Sequence, residues 1–150
     1  MERSTDSNSR WIAACCGVII AALYVVAFVS KTELRHLVQT VPLWLGVVLA
    51  LLGVRVAKWV VLPILLFWLA AMTFIWLFLL GWSRVISGHF SPVEIAMTVV
   101  IGTSALIGLL FSMKGKRQVT PLGASCVFLL SDAFQFAAFR ISMLPGIARR

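Results

Sequence analysis

Residues 41–82 form an apolar run of 42 residues, broken by only two charges, Arg55 and Lys58. As a single helix this run would be about 63 Å long, roughly twice the thickness of a bilayer's hydrocarbon core. The chain must therefore fold back on itself. Charges are costly at mid-bilayer, so the reversal is expected at 53–58, between a span at 37–52 that carries Pro42 and a span at 59–82.

Apolar residues make up 61% of the chain and charged residues 12%, which excludes a water-soluble globule. Two further apolar blocks complete the pattern. Residues 11–29 contain no charge, and Trp11 is placed at headgroup level. The lipoprotein-like sequence Ile12-Ala13-Ala14-Cys15 precedes the apolar run instead of following it, so this block reads as an uncleaved span. Residues 93–113 form the other. The expected fold is an all-α integral membrane protein, a four-transmembrane-helix bundle at 11–29, 37–52, 59–82 and 93–113. A polar tail at 1–10, expected to be disordered, precedes it, and a basic loop and a C-terminal helix at 114–150, either interfacial or a fifth transmembrane helix, follow.

Local signals mark the helix ends. Ser91-Pro92-Val93-Glu94 combines a capping serine, proline at the first helical position and glutamate at the third. Ser30-Lys31-Thr32-Glu33 has the same capping-box spacing, which gives Glu33 an ordinary structural role and leaves His36 as a polar interfacial residue. Ala13, Gly17 and Ala21 recur every fourth residue, as do Ser104, Gly108 and Ser112; such stripes let helices approach closely, with a neighbouring span the expected partner ahead of a second copy. Phe67, Phe74, Phe78 and Trp82 form an aromatic stripe with Ala71 between them. Helix packing and lipid contact account for it better than a quinone or haem edge, since no histidine lies in that span.

Orientation depends on the last helix. Residues 122–139 are just long enough to cross but contain Asp132 and Gln135. With four spans and both termini cytoplasmic, ten Lys and Arg fall inside and three outside; if 122–139 also crossed, the count becomes seven to six. The rule favours four spans, with 122–139 lying along the inner surface and Ser125, Asp132 and Gln135 on its polar side.

The net charge of +8, from 13 Lys and Arg against 5 Asp and Glu, lies between apolar blocks and is matched to anionic headgroups, not nucleic acid. Cys15, Cys16 and Cys126 have no spacing of a disulfide framework or metal site. There is no HExxH, phosphate loop or CxxC, so neither catalysis nor a cofactor is expected. Glu33, His36, His89 and Glu94 share the outer face of the four-span arrangement, a set zinc accepts, but caps and loops produce such groupings by chance. The expected function is a non-catalytic accessory or interaction protein of a plasma or bacterial inner membrane, with a cytoplasmic N-terminus. It would contact lipid and a membrane partner or second copy through the small-residue faces. The alternative is a proton- or cation-coupled transporter using Asp132, working as an oligomer. Small multidrug transporters are similar in size, but their working glutamate lies in the first span, where this chain has no acid.

Overall fold

The computed structural model describes residues 7–84, 88–114 and 119–148. Among them the chain is helical without a strand: α1 (Ser7–Ser30), α2 (Glu33–Leu51), α3 (Ala57–Leu79), α4 (Pro92–Lys114), α5 (Pro121–Ser142) and a final turn, α6 (Pro145–Ala148). The first five are each long and apolar enough to cross a membrane. The protein is an all-helical, multi-pass membrane bundle. Residues 7–10, expected in the disordered tail, form the first turn of α1.

The reversal expected at 53–58 is a tight turn. Gly53 takes φ 65°, and the Val54 amide donates to the Leu49 carbonyl at 3.1 Å, so a left-handed residue closes α2 and α3 starts four residues later. The α1–α2 turn uses the same device with a less suited residue, Lys31 at φ 55°, while the Thr32 amide reaches back to Ala27 at 3.0 Å. This geometry overrides the capping box expected at Ser30. The Ser30 hydroxyl donates to the Val26 carbonyl at 2.8 Å instead, and Thr32 occupies the cap position of α2 with no side-chain cap bond. The second box forms as read: the Ser91 amide donates to Glu94 Oε2 at 2.7 Å, and the Glu94 amide to Ser91 Oγ at 3.2 Å.

Helix contacts close a ring in the order α1, α4, α3, α5, α2 and back to α1, with α2 also touching α3 across it. Ile19, Leu43, Ile64, Leu65 and Ile101 fill the core. Gly108 shows how closely α4 approaches: a Cβ placed there would lie 2.8 Å from Leu65 Cδ1 and 3.2 Å from Cys15 Cβ. The Ser104 stripe thus packs inside the bundle, with Gly108 and Ser112 buried. The other stripe turns out of it. Ala13 is buried, but Gly17 is half-buried with open space around it and Ala21 is exposed.

For the fifth helix, expected either along the inner membrane surface or across the bilayer, the structure shows packing along the bundle. It lies lengthwise against α2 and α3, with Pro121 beside Trp59 at the start of α3 and Ser142 beside Gln39 near the start of α2. Part of its polar side, which a surface helix would turn to water, faces the bundle: Ser131, Gln135 and Ser142 are buried and Asp132 is half-buried, while Ser125, Leu122, Leu129, Leu130 and Ile141 are exposed. Polar residues inside and leucines outside are the pattern of a helix whose surroundings are lipid.

Candidate functional site

Ser125, Phe128, Asp132, Gln135, Phe139 and Ser142 recur every three or four residues along α5, so they form one stripe. Its two ends differ. At the C-terminal end Gln39 Nε2 donates to Ser142 Oγ at 2.9 Å, linking α2 to α5, and the Ser142 hydroxyl donates to the Phe139 carbonyl at 2.6 Å. Phe67 of α3 meets the same end edge-on, its ring 5.4 Å from Phe136 and 5.3 Å from Phe139. One helical turn from Phe139, Gln135 is fully buried, and neither of its amide atoms has a hydrogen-bond partner among the described residues.

At the N-terminal end the stripe borders a cleft of about 490 Å³ between α5 and the start of α3, lined by Trp59, Pro121, Ser125, Phe128 and Leu129 among others. The Ser125 hydroxyl is taken up by the Pro121 carbonyl at 3.0 Å, so the walls are largely apolar. Lys58 stands at this level of the bundle, its ammonium 5.3 Å from the centre of the Trp59 ring.

Asp132 falls between these two ends, halfway along α5. It is half-buried, and among the described residues it makes no hydrogen bond or ion pair. It is thus a carboxylate at the middle of a bilayer-length helix, on the edge of the packed face.

The four residues weighed as zinc ligands have other roles or stand apart. His36 Nδ1 bonds Thr32 through both its hydroxyl and its carbonyl oxygen, each at 3.0 Å, and Glu94 caps α4. Glu33 and His89 are exposed, and among the described residues no three His, Cys, Asp or Glu side chains come together as a metal site. The aromatic stripe of α3 divides its duties. Phe67 packs on α5, Phe78 meets Phe90 at a tilt with 6.0 Å between ring centres, Phe74 faces outward, and Trp82, beyond the end of α3, is exposed.

Sequence reasoning passed over the polar contacts of α2. Trp44 Nε1 donates to the Tyr24 hydroxyl at 3.2 Å, and that hydroxyl lies 3.3 Å from Thr40 Oγ1, pinning α1 to α2. The signal available was the pair Gln39-Thr40 inside an apolar helix, since polar groups in a span must find partners on neighbouring helices. Comparison with protein-family models, with curated proteins and with solved structures finds no match for the chain.

Proposed function

We propose that this is a non-catalytic accessory protein of a plasma or bacterial inner membrane, which works by holding another membrane helix against the outer face of α1. The observation that carries this reading is the outward turn of that face. Ala14 and Ala21 are exposed, and no atom lies within 4 Å of a Cβ built at Gly17, whereas the equivalent stripe on α4 is consumed inside the bundle. Small side chains on a lipid-facing surface let a second backbone come close, and close backbones gain dispersion contacts that lipid tails do not supply as well. The test is Gly17→Leu, read by co-purification of membrane partners and by energy transfer between labelled copies. The expected result is loss of association with an unchanged melting temperature. Association that survives both Gly17→Leu and Ala21→Leu overturns the proposal.

With α5 lengthwise in the bundle, the chain is proposed to cross five times, its N-terminus cytoplasmic and its C-terminus on the far side. Seven Lys and Arg then lie inside and six outside, a margin of one. Single cysteines at Gly115 and Arg150 in a cysteine-free background, labelled in intact cells by an impermeant maleimide, test this. Exactly one of them is expected to react.

A second reading, proton or cation transport through Asp132, is favoured by the inward polar stripe of α5. Ionisable groups within spans commonly mark such paths. Reconstituted vesicles with Asp132→Asn are expected to lose any proton or cation flux the parent protein shows.

A further inference from the structure

Among the described residues Asp132 has no counter-group. On α5 itself the next base, Arg140, lies eight residues on, about 12 Å along the axis. The remaining bases of the described residues sit at helix ends or in turns: Arg10, Lys31, Arg35, Arg55, Lys58, Arg84 and Lys114. A second copy would bring the same distribution, so pairing two copies through this flank would oppose two carboxylates. An ionised carboxylate in a low-dielectric setting is strongly disfavoured alone and strongly attracts a cation that is itself poorly hydrated.

Beside Asp132 the structure provides a place for the rest of such a cation. Phe128 and Leu129, both lining the cleft, are its i−4 and i−3 neighbours and so adjoin it on the helix surface at about 6 Å between Cβ atoms. The cleft, about 490 Å³, falls within the size range of small-molecule sites. Its walls offer two aromatic rings, Trp59 and Phe128, and aliphatic surface from Leu129 and Pro121. Aromatic faces suit both flat apolar groups and diffuse positive charge. Lys58, at the level of Trp59, disfavours a ligand that leaves its positive charge at that end. The charged group therefore belongs at the end of the cleft nearer the middle of α5, where Asp132 lies one turn beyond Phe128 and Leu129.

We propose that the α3–α5 cleft and Asp132 together form a binding site for an amphiphilic organic cation, its ring body against Trp59 and Phe128 and its cationic centre against the Asp132 carboxylate. This rests on the second reading above and gives it a ligand class. No bond is made or broken: the cation replaces whatever proton or solvent cation the carboxylate holds.

The test uses a matched pair of probes, tetraphenylphosphonium and tetraphenylborate, alike in size and shape and opposite in charge. Each is titrated calorimetrically into the full-length protein in nanodiscs. The phosphonium is expected to bind and the borate not; Asp132→Asn is expected to weaken phosphonium binding about tenfold or more, Asp132→Glu to retain it, and Phe128→Ala to weaken it with the carboxylate intact. Equal binding of both probes overturns the proposal, because the cleft then takes any hydrophobic ion. Preferential borate binding overturns it in favour of an anionic amphiphile. Phosphonium binding that Asp132→Asn and Phe128→Ala both leave unchanged also overturns it. Flux measured on the same samples separates the two levels of argument. Phosphonium binding without flux supports the site and removes transport, and Asp132-dependent proton flux without phosphonium binding keeps transport and removes the site.

Discussion

The contact between α4 and its neighbours α1 and α3 is made by volume, whereas the contact between α5 and α2 is made by polarity. Around Gly108, Leu65 and Cys15 close on a backbone with no room for a methyl group, and the surrounding core is aliphatic. Around Gln135 and Ser142 the buried groups are amides and hydroxyls, one linked between helices and one left without a partner. In lipid, burial of apolar surface gives no net advantage between helices, so close packing and internal hydrogen bonds remain as the two forces that can hold a bundle together. The molecule uses one on each side. The first fixes helices tightly; the second leaves space and chemistry where α5 meets α3.

Two substitutions separate these mechanisms most sharply. Gly108→Leu is expected to have the largest effect: even its Cβ would meet Leu65 Cδ1 at 2.8 Å, and the rest of the side chain would force α4 away from both neighbours. Overpacking of this kind costs typically about 1–3 kcal/mol and sometimes more, so a clear fall in melting temperature in lipid or detergent is expected. A stable Gly108→Leu protein would show that α4 is not held by close packing. Gln135→Leu is expected to act in the opposite direction. It removes two buried polar atoms that have no partner, at similar volume, and restoring an apolar contact there should stabilise by about 1–2 kcal/mol. A destabilised Gln135→Leu protein would mean that the amide is satisfied in the membrane by something outside the chain's own atoms.

The close-packed side was legible in the sequence and the polar side was not, for a physical reason. The lengths of 11–29 and 93–113, the charges that force a reversal at 53–58, and the Ser91–Glu94 cap depend on neighbours close in sequence, and each appears in the structure near its expected place. The Ser30 cap failed because a left-handed Lys31 closes α1 and turns the Ser30 hydroxyl back onto its own helix, an outcome set by the α1–α2 packing. The placement of α5 stayed open in the sequence, between the inner surface and a fifth crossing, because an amphipathic stripe has the same period whether its polar side meets water or a neighbouring helix. Ser125, Asp132 and Gln135 share one side of α5, but Gln135 is buried, Asp132 half-buried and Ser125 exposed; Gln39 and Phe67, about 100 and 70 residues away in the chain, hold the C-terminal part of the helix against the bundle. Asp132 stood out in the sequence as an acid in an apolar segment, but the cleft next to it depends on Trp59 and could not be read from α5 alone.

The smallest expected effect tests the polar link itself. Gln39 is buried and donates to Ser142, but the Ser142 hydroxyl also donates to Phe139 within its own helix, so Gln39→Leu leaves no hydroxyl proton stranded. The loss is then one interhelical hydrogen bond, for which membrane measurements average about 0.6 kcal/mol, partly offset by the added apolar contact. Melting of Gln39→Leu should fall by less than that of Gly108→Leu, and the double variant Gln39→Leu with Ser142→Ala should lose little beyond the Gln39→Leu change. A double variant that loses much more than the two single variants together would show that each group finds another partner when its own is removed. The α2–α5 contact would then be a wider polar network than the single Gln39–Ser142 bond, and its contrast with the close-packed side would be stronger than one hydrogen bond implies.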